Sequence, residues 1–216
     1  MEVTSLIIEI ICFLVSLALF RQAFTPKYLI AFPFFLLITI GVEFANKLFV
    51  KTDRSAALLF NTFTTFEIIF YLYIIRCCLY NLKIRKIILW VMTIYPVLVL
   101  INSAFFQVKT FHTSTYSFGC LLIVGACIYY FLELFQSTRS VNLLKEPAFW
   151  ICSGLLFFYT CSFPLFGLWN HLHGLPGIIL RNLSTVLQIL NVLLYSLFSI
   201  AFLCRVRFRK VRAAAL

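Results

Sequence analysis

The chain has 216 residues, of which 63% are hydrophobic and only 12% charged, with 18 Lys and Arg against 7 Asp and Glu for a net charge of +11. Soluble domains hold roughly 45–50% apolar residues, and a globule of this size has too little interior to hide the surplus. A soluble enzyme, a DNA-binding domain and a disordered tail are thereby excluded, and the positive charge belongs to the loops of a membrane protein rather than to nucleic acid.

In chain order, seven apolar runs near the roughly 20-residue length of a spanning helix cover residues 5–20, 28–45, 56–75, 87–106, 118–135, 149–169 and 184–203. They predict an all-α, seven-span bundle forming one membrane domain over residues 1–212. The longest connections, around residues 136–148 and 170–182, have room for a turn and not for a further domain. The closing residues Ala213, Ala214, Ala215 and Leu216 resemble a cloning scar.

Lys and Arg set the expected orientation, because cytoplasmic loops retain them. With the N-terminus outside, the inner set is Arg21, Lys27, Arg76, Lys83, Arg85, Lys86, Arg139, Lys145 and the five basic residues from Arg205 to Arg212, against Lys47, Lys51, Arg54, Lys109 and Arg181 outside. An outer N-terminus and a cytoplasmic C-terminus follow. The basic tail reads as a stop-transfer anchor. With Glu2 and no basic residue ahead of span one, and no small-residue cleavage site after it, that span reads as a retained helix.

Ionisable groups within the runs carry most of the information, since a charge at bilayer depth ordinarily faces the bundle interior or a wet cavity. Glu9 and Glu43 fall in the outer thirds of spans one and two, Glu67 near the middle of span three, and Glu133 at the inner end of span five. At about 100° per residue, Asn61, Thr64, Thr65, Glu67 and Tyr71 share one face of span three, opposite Phe63, Phe66, Ile69 and Phe70. Ser184, Gln188, Asn191, Tyr195 and Ser199 form a narrower stripe along span seven. The expected ligand-binding set is Glu43, Asn61, Thr65, Glu67, Gln188, Asn191 and Tyr195. The same stripes also fit hydrogen bonding between helices with no ligand.

Three prolines, Pro33, Pro96 and Pro164, lie inside spans and each frees a backbone carbonyl. Eight cysteines without a C-x-x-C pair read as small apolar packing residues. His112, His171 and His173 map to outer loops and are weak metal candidates, because a zinc site requires three or four convergent ligands. No Lys lies within a span and Asp53 is the sole Asp, which argues against a Schiff base, a paired-aspartate hydrolase or another enzyme, and no cofactor is expected.

The strings FNTFTTFE at residues 60–67 and EPAFWICSG at residues 146–154 resemble a widespread group of small bacterial seven-span proteins of undefined activity, often encoded near sensor histidine kinases. The resemblance implies a multi-pass protein of the bacterial inner membrane working with a membrane sensor kinase or other protein; composition already makes the lipid bilayer a partner, and the large Phe-rich faces of the bundle leave a homo-oligomer as a further option. Three functions stay open on the sequence: a receptor-like or accessory signalling protein with an outward polar cavity for a small polar or cationic ligand, a small-molecule or ion transporter or channel using spans one, two, three and seven, and a structural subunit of a larger complex. Transport requires a polar path at the inner ends as well. The inner ends of spans four to six offer few polar groups in the sequence, which favours sensing.

Overall fold

The computed structural model describes residues 2–21, 26–49, 52–105, 111–136, 143–167 and 177–213. Among them are seven α-helices: α1 (Glu2–Leu17), which tightens into a 3-10 segment at Ala18–Arg21, α2 (Lys27–Phe49), α3 (Asp53–Cys78), α4 (Leu82–Phe105), α5 (Thr113–Gln136), α6 (Pro147–Gly167) and α7 (Gly177–Ala213). Six of them, α2 to α7, are long and apolar enough to cross a bilayer, while the apolar part of α1, Leu6–Leu17, is shorter. The chain is thus a multi-pass helical membrane protein.

Most helices outrun the apolar runs read from the sequence because polar caps carry the backbone past the hydrocarbon. Thr52, in extended conformation, accepts the Ser55 N–H with its hydroxyl at 3.3 Å and starts α3 ahead of Ala56. Asn81 does the same for α4, its side-chain oxygen taking the Lys83 N–H at 2.9 Å. Pro147 opens α6 at the position where a missing N–H costs nothing. The three interior prolines are all accommodated within helices, in α2, α4 and α6.

Neighbouring contacts run α1–α2, α2–α3, α3–α5, α5–α6, α6–α7 and back from α7 to α1, so these six helices close a ring. α4 packs outside it against α3 and α5, and accordingly turns Trp90, Leu100 and Phe105 outwards. Two glycines allow close approach. A Cβ on Gly119 of α5 would collide with Ile68 of α3 and come within 2.8 Å of the Tyr95 hydroxyl of α4, and one on Gly154 of α6 would press on Leu194 of α7 at 3.3 Å.

Aromatic rings fill the centre of the ring. Phe35 of α2 stacks on Phe70 of α3 at 4.2 Å, and Phe32 one turn away meets Phe70, Phe198 and Phe202 edge-on at 5.2–5.3 Å. Tyr71 and Tyr159 continue the layer across α3 and α6, 5.9 Å apart. Phe32, Phe35, Tyr71, Tyr159, Phe198 and Phe202 are all essentially inaccessible. This belt separates two polar regions.

Candidate functional site

The first polar region begins with three carboxyls from three helices. Glu9 on α1 is buried, its side chain hydrogen-bonds that of Glu43 on α2, and both Glu67 on α3 and Lys47 on α2 lie within electrostatic reach. The second Glu9 oxygen, Oε2, is buried with no hydrogen-bond partner among the described residues.

Glu67 stands about 21 Å along the α3 axis from Asp53 and about 16 Å from Cys78, by a rise of ~1.5 Å per residue. It faces the hydroxyls of Tyr71, one turn on, and Tyr159 from α6. Both hydroxyls are buried, and neither closes a well-aligned hydrogen bond. Buried polar atoms left short of partners are costly and uncommon in native interiors. Two of those found among the described residues face this one carboxyl. Tyr195 of α7 is buried beside the same group, close to Glu9, Glu67 and Tyr71. Cys12 hydrogen-bonds Ser199, whose hydroxyl donates to the Tyr195 carbonyl at 2.9 Å, tying α1 to α7 at this depth.

Of the sequence-predicted set, the structure brings Glu43, Glu67 and Tyr195 together and adds Glu9, Tyr71 and Tyr159. Asn61 and Thr65 take structural bonds instead. The Asn61 side-chain oxygen accepts the His112 N–H at 2.9 Å, fastening the start of α5 to α3, and the Thr65 hydroxyl donates to the Asn61 carbonyl at 2.7 Å. Gln188 and Asn191 are half-buried on α7, two turns and one turn before Tyr195. His112 is buried at the entry to α5, while His171 and His173 lie outside the described residues. Among the described residues, no three His, Cys, Asp or Glu side chains converge as metal ligands.

The second polar region is a cavity of about 850 Å³ at the opposite end of the ring, where the α3–α4 turn meets the start of α2, the end of α5 and the start of α6. Its wall includes Tyr28, Tyr80, Arg85, Tyr130, Glu133 and Glu146. This end therefore holds more polar groups than the inner ends of spans four to six led us to expect. Glu133 is fixed there: its two oxygens accept the backbone N–H groups of Tyr80 at 2.8 Å and Asn81 at 2.6 Å, and Asn81 in turn donates to the Tyr129 hydroxyl at 3.0 Å. Arg76 Nε donates to the Arg85 carbonyl at 3.1 Å and braces the same turn.

Cys77 and Cys78 also reach the cavity wall. Behind them Cys152 of α6 hydrogen-bonds both Cys78 of α3 and Cys127 of α5, and Cys78 bonds the Tyr28 hydroxyl. All eight cysteines are free thiols. The convergence of three of them from three helices had no signal in the sequence, where they are 49 and 25 positions apart. Compared with protein-family models, curated proteins and solved structures, the chain matches none of them.

Proposed function

We propose that this protein is a carrier for a small polar or cationic solute in a bacterial inner membrane, with Glu67 as the central group that holds the solute or its coupling proton. The observation that carries this reading is a carboxyl cluster that reaches Glu67 near the middle of α3, with the Phe32–Phe35–Phe70 aromatic belt between it and a second polar region at the other end of the bundle. A receptor pocket requires one opening. A carrier requires a polar approach from each side and a dry barrier that yields to one side at a time, and the cavity beside Glu133 supplies the second approach.

Seven crossings with an outer N-terminus belong to the proposal. The 16 residues of α1 and the 4 of its 3-10 extension reach about 32 Å at ~1.5 and ~2.0 Å per residue, against a hydrocarbon core of about 30 Å. α1 also packs along α7 and α2, which puts Glu9 inside the bundle rather than on a membrane surface. In this orientation the carboxyl pair faces outwards and the cavity faces the cytoplasm, where Lys83, Arg85, Lys86 and Lys145 gather.

Uptake into proteoliposomes tests the reading, using a radiolabelled panel of amines, amino acids and sugars with an imposed pH gradient. Wild-type protein is expected to accumulate one class of solute, and Glu67→Gln, which keeps shape and loses the ionisable group, to lower uptake at least about tenfold while unfolding at the same temperature. Folded wild-type protein that accumulates nothing, or a Glu67→Gln variant with full uptake, contradicts it and returns the receptor reading with its kinase partner to first place.

A further inference from the structure

We infer that the cavity at the α3–α4 turn is a recognition site for a small organic cation, an alkylammonium held between the rings of Tyr28 and Tyr130 and the carboxylate of Glu146. The inference deepens the carrier reading and rests on it only for the claim that the bound cation is cargo.

Three helix ends build the site. Tyr28 lies in the first turn of α2, Tyr130 in the penultimate turn of α5 and Glu146 immediately before α6, and all three line one cavity. They are also electrostatic neighbours of one another. Phenol rings present a negative π-face to a cation, and the combination of several rings with a carboxylate is the arrangement that recognises ammonium groups. A volume of about 850 Å³ falls within the roughly 300–1,000 Å³ of small-molecule sites.

Charge decides the sign of the ligand. The described wall holds two carboxylates, Glu133 and Glu146, and one basic side chain, Arg85. Glu133 is held in one position because both oxygens accept backbone N–H groups. Further into the bundle the contrast sharpens: the ionisable groups at depth are the carboxyls Glu67, Glu43 and Glu9, and the basic residues of these helices, such as Lys47 and Arg76, lie in their end turns. An anion drawn in by the basic loops would meet carboxyls at every step inwards. A cation finds a partner at each, although the chain as a whole carries +11.

The experiment is equilibrium binding of tetramethylammonium chloride to the full chain in lipid nanodiscs by titration calorimetry, with inorganic phosphate as the opposing probe. Saturable binding of the ammonium, unaffected by phosphate, is expected. Glu146→Gln should weaken it about tenfold, Tyr130→Leu about fivefold, and Tyr130→Phe, which keeps the ring, less than about twofold. Glu146 is partly exposed at a helix start, so its variant tests the site even if Tyr130→Leu does not fold. Absence of saturable binding, equal binding by Glu146→Gln, or phosphate binding in competition with the ammonium overturns the inference. The two readings separate cleanly: binding without uptake removes the carrier and leaves the site, whereas uptake of other solutes without ammonium binding removes the site and leaves the carrier.

Discussion

Glu133 and Glu67 are the same residue type on neighbouring helices of the ring, and their surroundings differ in whether the carboxyl is satisfied. At the α3–α4 turn the Glu133 carboxylate has both oxygens occupied by backbone N–H groups at 2.6–2.8 Å, so it is satisfied and has one position. In the core Glu67 faces two buried phenols that close no well-aligned bond. The first arrangement stabilises a turn. The second gives up stability, which a native interior tolerates where the group must change partners or protonation during work. A carboxyl's depth alone therefore says little about its role, and the partners decide it.

Four substitutions test that contrast. Glu67→Gln carries the largest expected effect, a loss of uptake of about tenfold or more with little change in unfolding temperature. Glu133→Ala should do the reverse, leaving two N–H groups without their carboxylate and costing about 1–3 kcal/mol, read as a lower unfolding temperature in a lipid-detergent thermal scan. Asn61→Ala should cost about 1 kcal/mol by releasing the His112 N–H at the start of α5; amide hydrogen exchange there is expected to quicken while uptake per folded molecule stays within about twofold. Tyr159→Phe is the smallest in stability, neutral or up to about 1 kcal/mol stabilising, because it removes a buried hydroxyl with no well-formed bond. It should nonetheless slow uptake, and a Tyr159→Phe protein that is both destabilised and fully active contradicts the role assigned to the Glu67 cluster.

A pair of glycine substitutions addresses the packing that holds these groups. Gly119→Ala places a methyl against Ile68 and the Tyr95 hydroxyl, and overpacking of that kind costs about 1–3 kcal/mol. Gly154→Ala meets the Leu194 and Leu197 side chains, the Leu197 Cβ among them, at 3.3–3.5 Å rather than below 3 Å and should be milder in the same thermal scan.

The six long membrane helices could be read from the sequence because each is a continuous apolar run, and Glu67 could be read because rotation along α3 puts it with Tyr71 on one face. Tertiary convergence could not. Glu9 and Glu43 meet only through the way α1 and α2 pack, and Tyr159 reaches Glu67 from a helix with no polar stripe pointing to it. Asn61 and Thr65 have the composition of ligand residues, yet backbone groups claim them: an N–H at the entry to α5 in one case, the carbonyl a turn earlier in the other. The cavity is built from helix ends at residues 26–28, 77–85, 130–136 and 146–148, a set of short stretches with no periodicity to detect.

The most direct test of the central claim, that the two polar regions open in turn across the aromatic belt, is side-resolved thiol labelling in proteoliposomes. A membrane-impermeant maleimide is applied to protein retaining Cys78 as the sole accessible thiol, and separately to a Glu43→Cys variant in a background without other accessible thiols, with and without a transported solute. The account predicts that each position reacts from one side only and that solute shifts the two rates in opposite directions. Rates that rise together, or that do not respond to solute at all, contradict it.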